Sequence, residues 1–139
     1  MPQLEEGLYA YLAADPAISA LVGTRIFPNV VPEGTILPNI RYQRITTSRE
    51  YTHDPYSETH AWVRATVQID AWFTSALGAM EVGEAVMLAL SGYHGDMEGV
   101  AIGAVRNIRE SDTYDQQKKL HGRSADFEFT YADDIVVAS

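Results

Sequence analysis

The chain contains no cysteine. That absence removes disulfides, thiol catalysis and every cysteine-ligated zinc or iron–sulfur site, and it fits folding in a reducing cytoplasm. Long apolar runs are missing as well. No window approaches the roughly 18–20 uninterrupted apolar residues of a membrane helix, so no membrane partner is expected. The opening MPQLEEGLYAYL carries two glutamates and no basic cluster, which does not read as a signal peptide. Positive charge is scarce: 10 Lys and Arg stand against 19 Asp and Glu, a formal charge of −9. Tight duplex binding rests on cations that neutralise phosphates, so this balance argues against it. It suits a wall past which nucleic acid moves without sticking. Repeats and low-complexity tracts are absent too.

What is present is the composition of a globular protein, 46% hydrophobic over 139 residues. Residues 1–139 read as one domain, large enough to bury about two-thirds of its unfolded surface. The best-organised stretch is AWVRATVQIDAWF, where Ala61, Val63, Ala65, Val67, Ile69, Ala71 and Phe73 alternate with Trp62, Arg64, Thr66, Gln68, Asp70 and Trp72. Strict alternation predicts a β-strand with one face on a core and the other wet or against a partner. The period then changes. Ala76, Met80, Gly83, Val86, Met87 and Leu90 recur every three or four residues, which predicts a helix laying one apolar stripe on the sheet.

Elsewhere the signals are shorter. Leu4, Leu8, Tyr11 and Leu12 predict an amphipathic helix, and Glu5 and Glu6 suit its positive N-terminal end. Asp15-Pro16 stops it and can start a second short helix that Gly23 closes. Pro28, Pro32, Gly34 and Pro38 make an irregular crossing. A strand is expected over residues 39–46, a long polar loop over 48–60, and a strand near VAIGAVRNI with a bulge at Gly103. A polar turn follows over 114–119. The last strand places Ala125, Phe127, Phe129 and Tyr131 inward, and a loose or donated tail spans 132–139. The economical layering is α+β: a mainly antiparallel sheet with helices packed on one face, in the order helix-strand-strand-helix-strand-strand.

Catalytic and metal-binding readings are thin. His53, Asp54, Glu58 and His60 share one polar loop, which lacks the rigidity that metal ligation needs. His94-Gly95-Asp96 has acid–base residue types but sits in a turn, with no nucleophile on a strained elbow. GYHGDMEG lacks the Lys-Ser/Thr of a phosphate loop. Asp70 and Asp126 would form an acid–base pair only as neighbours, and outward strand carboxylates are ordinarily solvated. No catalytic residue, cofactor or metal is expected. The aromatic residues point elsewhere. Trp62 and Trp72 lie on the polar side of the long strand, and Tyr51 and Tyr56 stand in the loop beside Arg49, Glu50 and Asp54. These residue types dominate protein–protein contacts, and together they are the candidate interface.

In order along the chain, LEEGLYAYLAADPAISALVGTRIFPNVVPEG, LPNIRYQRI, VRATVQIDAWF, the helix from Ser75 and SDTYDQQKKLHGRSADFEFTY resemble the tail completion, or tail terminator, family of long-tailed bacteriophages and prophages. The resemblance covers nearly the whole chain and rests on structural patterns, since the family has no catalytic signature. It implies a virion protein, made in the bacterial cytoplasm, that assembles as a homo-hexameric ring at the head-proximal end of a tail tube. The ring ends tube polymerisation and docks on the connector or stopper of the head, and DNA passes through without specific binding. The alternatives are a neighbouring neck protein, stopper or adaptor, or a small enzyme or ligand-binding domain.

Overall fold

A computed structural model describes residues 3–50 and 61–133. The chain runs α1 (Leu4–Ala14), α2 (Pro16–Val22), β1 (Ile26–Pro28), β2 (Asn39–Glu50), β3 (Ala61–Phe73), α3 (Ala76–Leu90), β4 (Gly95–Met97), β5 (Val100–Asp115) and β6 (Leu120–Asp133). One six-stranded sheet has the order β1-β2-β3-β6-β5-β4.

The helices start and stop where local chemistry dictates. Leu4, Leu8 and Leu12, four residues apart, are buried along one side of α1. The Asp15 carboxylate then accepts from the backbone N–H groups of Ala17 and Ile18 at 2.9 and 3.1 Å. With Pro16 in the first turn, this caps α2, and Gly23 ends it at φ 60°. The Ser75 hydroxyl accepts from Gly78 N–H and caps α3. Tyr11 binds α1 to α3 by donating its hydroxyl to the Ala89 carbonyl at 2.6 Å. Burial, with Tyr93 and Asp15 nearby, raises the pKa of that hydroxyl.

The alternation in β3 holds on the core side from Val63 to Ala71, where Val63, Ala65, Val67, Ile69 and Ala71 are buried, while Phe73, also expected inward, is only partly covered. Across the ladder those buried residues meet Tyr131, Phe129, Phe127, Ala125 and Arg123 of β6. Phe127 and Phe129 are the largest fully buried side chains, central to a single core cluster that takes in all three helices.

The sheet is mainly antiparallel, as expected, with one parallel pair, the three-residue β1 on β2. Other expectations need correction. The element order is helix-helix-strand-strand-strand-helix-strand-strand-strand. Asp15-Pro16 divides the first helical stretch, and β1 and β4, at three residues each, are too short to show alternation. The sheet strand β2 does not end at Thr46: its ladder with β3 continues past a bulge at Ile45 to Glu50, opposite Trp62. Ser48, Arg49 and Glu50 are thus strand, and the rest of the expected loop lies outside the described residues. The bulge at Gly103 is present, and a second sits at Ile108. The turn after β5 covers only residues 116–119, with the Asp115 side chain accepting from Gln117 and Lys118 N–H. Ala132 and Asp133 belong to β6, and the rest of the tail is outside the described residues. On α3 the buried stripe is Ala79, Val82, Gly83, Val86 and Leu90, while Ala76 is exposed and Met80 and Met87 are only partly covered. The rotation is set by a close approach: a Cβ on Gly83 would stand 2.5 Å from the Arg123 Cγ.

Candidate assembly surfaces

Both flanks of the sheet are left open by very short outer strands. The ladder from β1 reaches only residues 40–42 of β2, and the ladder from β4 reaches only residues 100–102 of β5. Among the described residues, the outer edge of β2 from 43 to 50 and that of β5 from 106 to 115 carry no ladder partner; at 105 the Val105 carbonyl already accepts from Gly92 N–H at 3.0 Å. Such edges are templates for another strand. Each contains a bulge that turns out an isoleucine: Ile45 is 48% exposed and Ile108 is 45% exposed.

The sheet face turned away from the helices is polar and internally charge-balanced. Arg106 reaches Glu128 at 3.5 Å and Arg109 reaches Asp126 at 3.6 Å. Asp70 is 3% exposed although its strand position is on the polar side. Its carboxylate accepts from Arg41 at 2.6 and 3.0 Å, Ser124 at 2.6 Å and Gln68 at 3.0 Å, so side chains of β2, β3 and β6 close over it. The expectation of a solvated carboxylate fails for that reason. On the opposite face, Arg44 of β2 lies under α1 and donates to Glu5 and to the Tyr131 hydroxyl. Burial opposes its charge, but those two partners outweigh burial and raise its pKa.

The two tryptophans occupy opposite ends of the polar face, about 30 Å apart at strand rise. Trp62 is 46% exposed and leans toward Gly103, where a Cβ would come within 3.2 Å of its ring. Trp72 is half-buried beside Gly122, where a Cβ would come within 2.9 Å of the ring. Trp72 also lines a groove of about 610 Å³ between residues 29–37 of the crossing, the start of β2 and the β5–β6 turn. Asn39 lines the same groove; it is 3% exposed and its Oδ1 has no hydrogen-bond partner.

The candidate interface residues therefore divide. Arg49 and Glu50 end β2 near Trp62, Trp72 stands at the far end, and Tyr51, Asp54 and Tyr56 lie outside the described residues. His53, Glu58 and His60 are outside them too. Asp96 serves the β4–β5 turn, its carboxylate accepting from Gly99 N–H and its carbonyl from the Tyr93 hydroxyl. Asp70 and Asp126 do fall on adjacent strands, but each is held by its own arginine. Sequence reasoning missed Asn39 and Arg41: they alternate with Ile40 and Tyr42 in the expected strand, but a strand face does not name the partner across the sheet.

Open edges and a charge-balanced polar face are, among the described residues, the features an assembly subunit would use. The chain belongs to the tail completion protein gp17 family, whose model matches residues 6–132. It is a bacteriophage tail completion protein, a structural component of the virion. A solved chain from the virion of a native gene transfer agent particle is similar at TM-score 0.67 and 18% identity, covering 94% of this chain and 95% of that one. At that identity the likeness concerns the fold. No curated protein matches the chain. Among the described residues, no helix is long and apolar enough to cross a membrane.

Proposed function

We propose that the protein ends the tail tube on its head side as a ring of six copies, closed edge to edge, through which DNA passes. The observation that carries this reading is the pair of unpartnered edges on opposite flanks of one sheet. The four long strands β2, β3, β6 and β5 alternate in direction, so β2 and β5 run opposite ways. A copy rotated about a ring axis brings its β2 antiparallel to the β5 of its neighbour, the pairing that hydrogen-bonds without distortion. The two edges differ, as a closed head-to-tail ring requires. Setting Thr47 against Arg106 of the neighbour brings Ile45 opposite Ile108, two exposed apolar side chains that would cover one another.

In such a ring the polar sheet face turns to the bore. Arg41, Arg106 and Arg109 on it are already engaged by Asp70, Glu128 and Asp126, which reduces the positive charge left to hold phosphates. Nothing in this role calls for catalysis. The chain has no cysteine, so an Ile45→Cys/Ile108→Cys pair is a clean test. Oxidised on tail tubes, the double variant should give a ladder of linked copies ending at six, and either single variant should not. Absence of any linked species on capped tubes would remove this joint. Binding to isolated head connectors but never to tubes would favour the neck-protein alternative.

A further inference from the structure

We propose that the groove at the start of β2 receives an extended, uncharged peptide segment from the protein that meets this end of the ring, an inference that rests on the ring reading above. The position comes first. Asn39 begins β2, Trp72 is near the end of β3, Leu120 begins β6 and Asp115 ends β5. All four mark the same end of the strand layer. In a ring closed through the β2 and β5 edges, that end faces along the axis, toward a different protein and away from lateral copies.

The chemistry of the walls selects the occupant. Val30, Leu37, Trp72 and Leu120 give an apolar lining, and Val30 is 74% exposed in the free subunit. Charges along the groove cancel: Arg41 and Lys118 against Glu33 and Asp115. Arg41 is spent on Asp70 and on the Asn29 carbonyl, and Asp115 on its own turn. That leaves Lys118 and Glu33, one of each sign, so the groove favours neither an anionic nor a cationic ligand. Asn39 supplies the specific contact. Its Oδ1 is buried without a donor, and buried acceptors are almost always paired in finished structures. The backbone N–H of an extended chain provides that donor, while its alternating side chains fill the apolar wall on one side and leave the other free. The volume of about 610 Å³ lies within the range of roughly 300–1,000 Å³ typical of ligand-sized clefts.

The test uses purified tail tubes without this protein and purified heads with their connectors, joined by the wild-type chain or by Val30→Asp or Asn39→Leu. Both variants should still form rings of wild-type mass, and Val30→Asp, a change at an exposed site, should keep the wild-type melting midpoint. Joining to one of the two partners should fall at least tenfold while the other is unaffected. Wild-type joining by Val30→Asp at both faces would overturn the proposal. Loss of the ring itself in Val30→Asp would place the groove at a subunit contact and overturn it equally. A wild-type chain that caps no tubes would overturn the ring reading, and the groove assignment with it, whereas wild-type joining to both tubes and heads by both variants overturns the groove alone.

Discussion

Replacing Asp70 by alanine would strip one acceptor from three donors, Arg41, Gln68 and Ser124, on three strands. The expected loss is about 3 kcal/mol, the low end for breaking a buried ion pair, because the Arg41 side chain is 28% exposed and can turn to water. Urea unfolding of the free subunit reads this directly; a loss well under 1 kcal/mol would mean the carboxylate is dispensable to the sheet. Gly7 presents a contest of signs. Alanine is favoured over glycine in a helix by about 1 kcal/mol. Yet a Cβ at Gly7 would stand 2.5 Å from the Met97 carbonyl oxygen, and backbone cannot yield as a side chain can. Overpacking costs about 1–3 kcal/mol, so Gly7→Ala should lower the melting midpoint as α1 is pushed off β4. A higher midpoint would show that α1 shifts freely.

At the scale of elements, the edges of β2 and β5 separate assembly from folding. Ile45 and Ile108 are half-exposed and sit at bulges, so lysine at either should change monomer stability by no more than about 0.5 kcal/mol. The same substitutions should prevent ring closure on tubes, because a charge would be placed against the neighbouring edge. Equal loss of monomer stability would assign these side chains to the fold instead. The hairpin of β5 and β6 projects beyond the helices, with residues 108–114 of β5 exposed. It is anchored from behind by Arg123, which lies against Gly83 of α3 and donates to Asp112 at 2.5 Å. Its hydrogen bond to Asp112 holds the guanidinium pKa high despite partial burial.

At the scale of the whole molecule, six chains of 15.4 kDa give about 92 kDa for the ring. Light scattering on the ring released from capped tubes, or on the free protein if the ring closes without a tube, should find that mass. The charge balance makes a second prediction. With −9 overall and its surface arginines paired, the protein should not retain duplex DNA in filter binding at low salt. Submicromolar retention that weakens steeply with salt would reopen a nucleic-acid-binding role.

The sequence alone determined the long strands and helices wherever a period persisted, and the core face of β3, β6 and α1, though not the rotation of the buried stripe on α3. The long alternations around Val67 and Phe129 and the leucines of α1 could bury only one side, so their inward residues were legible before any coordinates. Caps at Asp15 and Gly23 were equally readable, since they act within a few residues. What the tertiary structure decided lies in the contacts between distant segments. A parallel partner for β2, the closure of Arg41 and Ser124 over Asp70, and the groove that brings Asn39 to Trp72 have no local signature. The open edges belong to the same class. That β2 and β5 end up flanking the long strands, each covered for only three residues, follows from strand order, and no alternation pattern records which strand will have a neighbour.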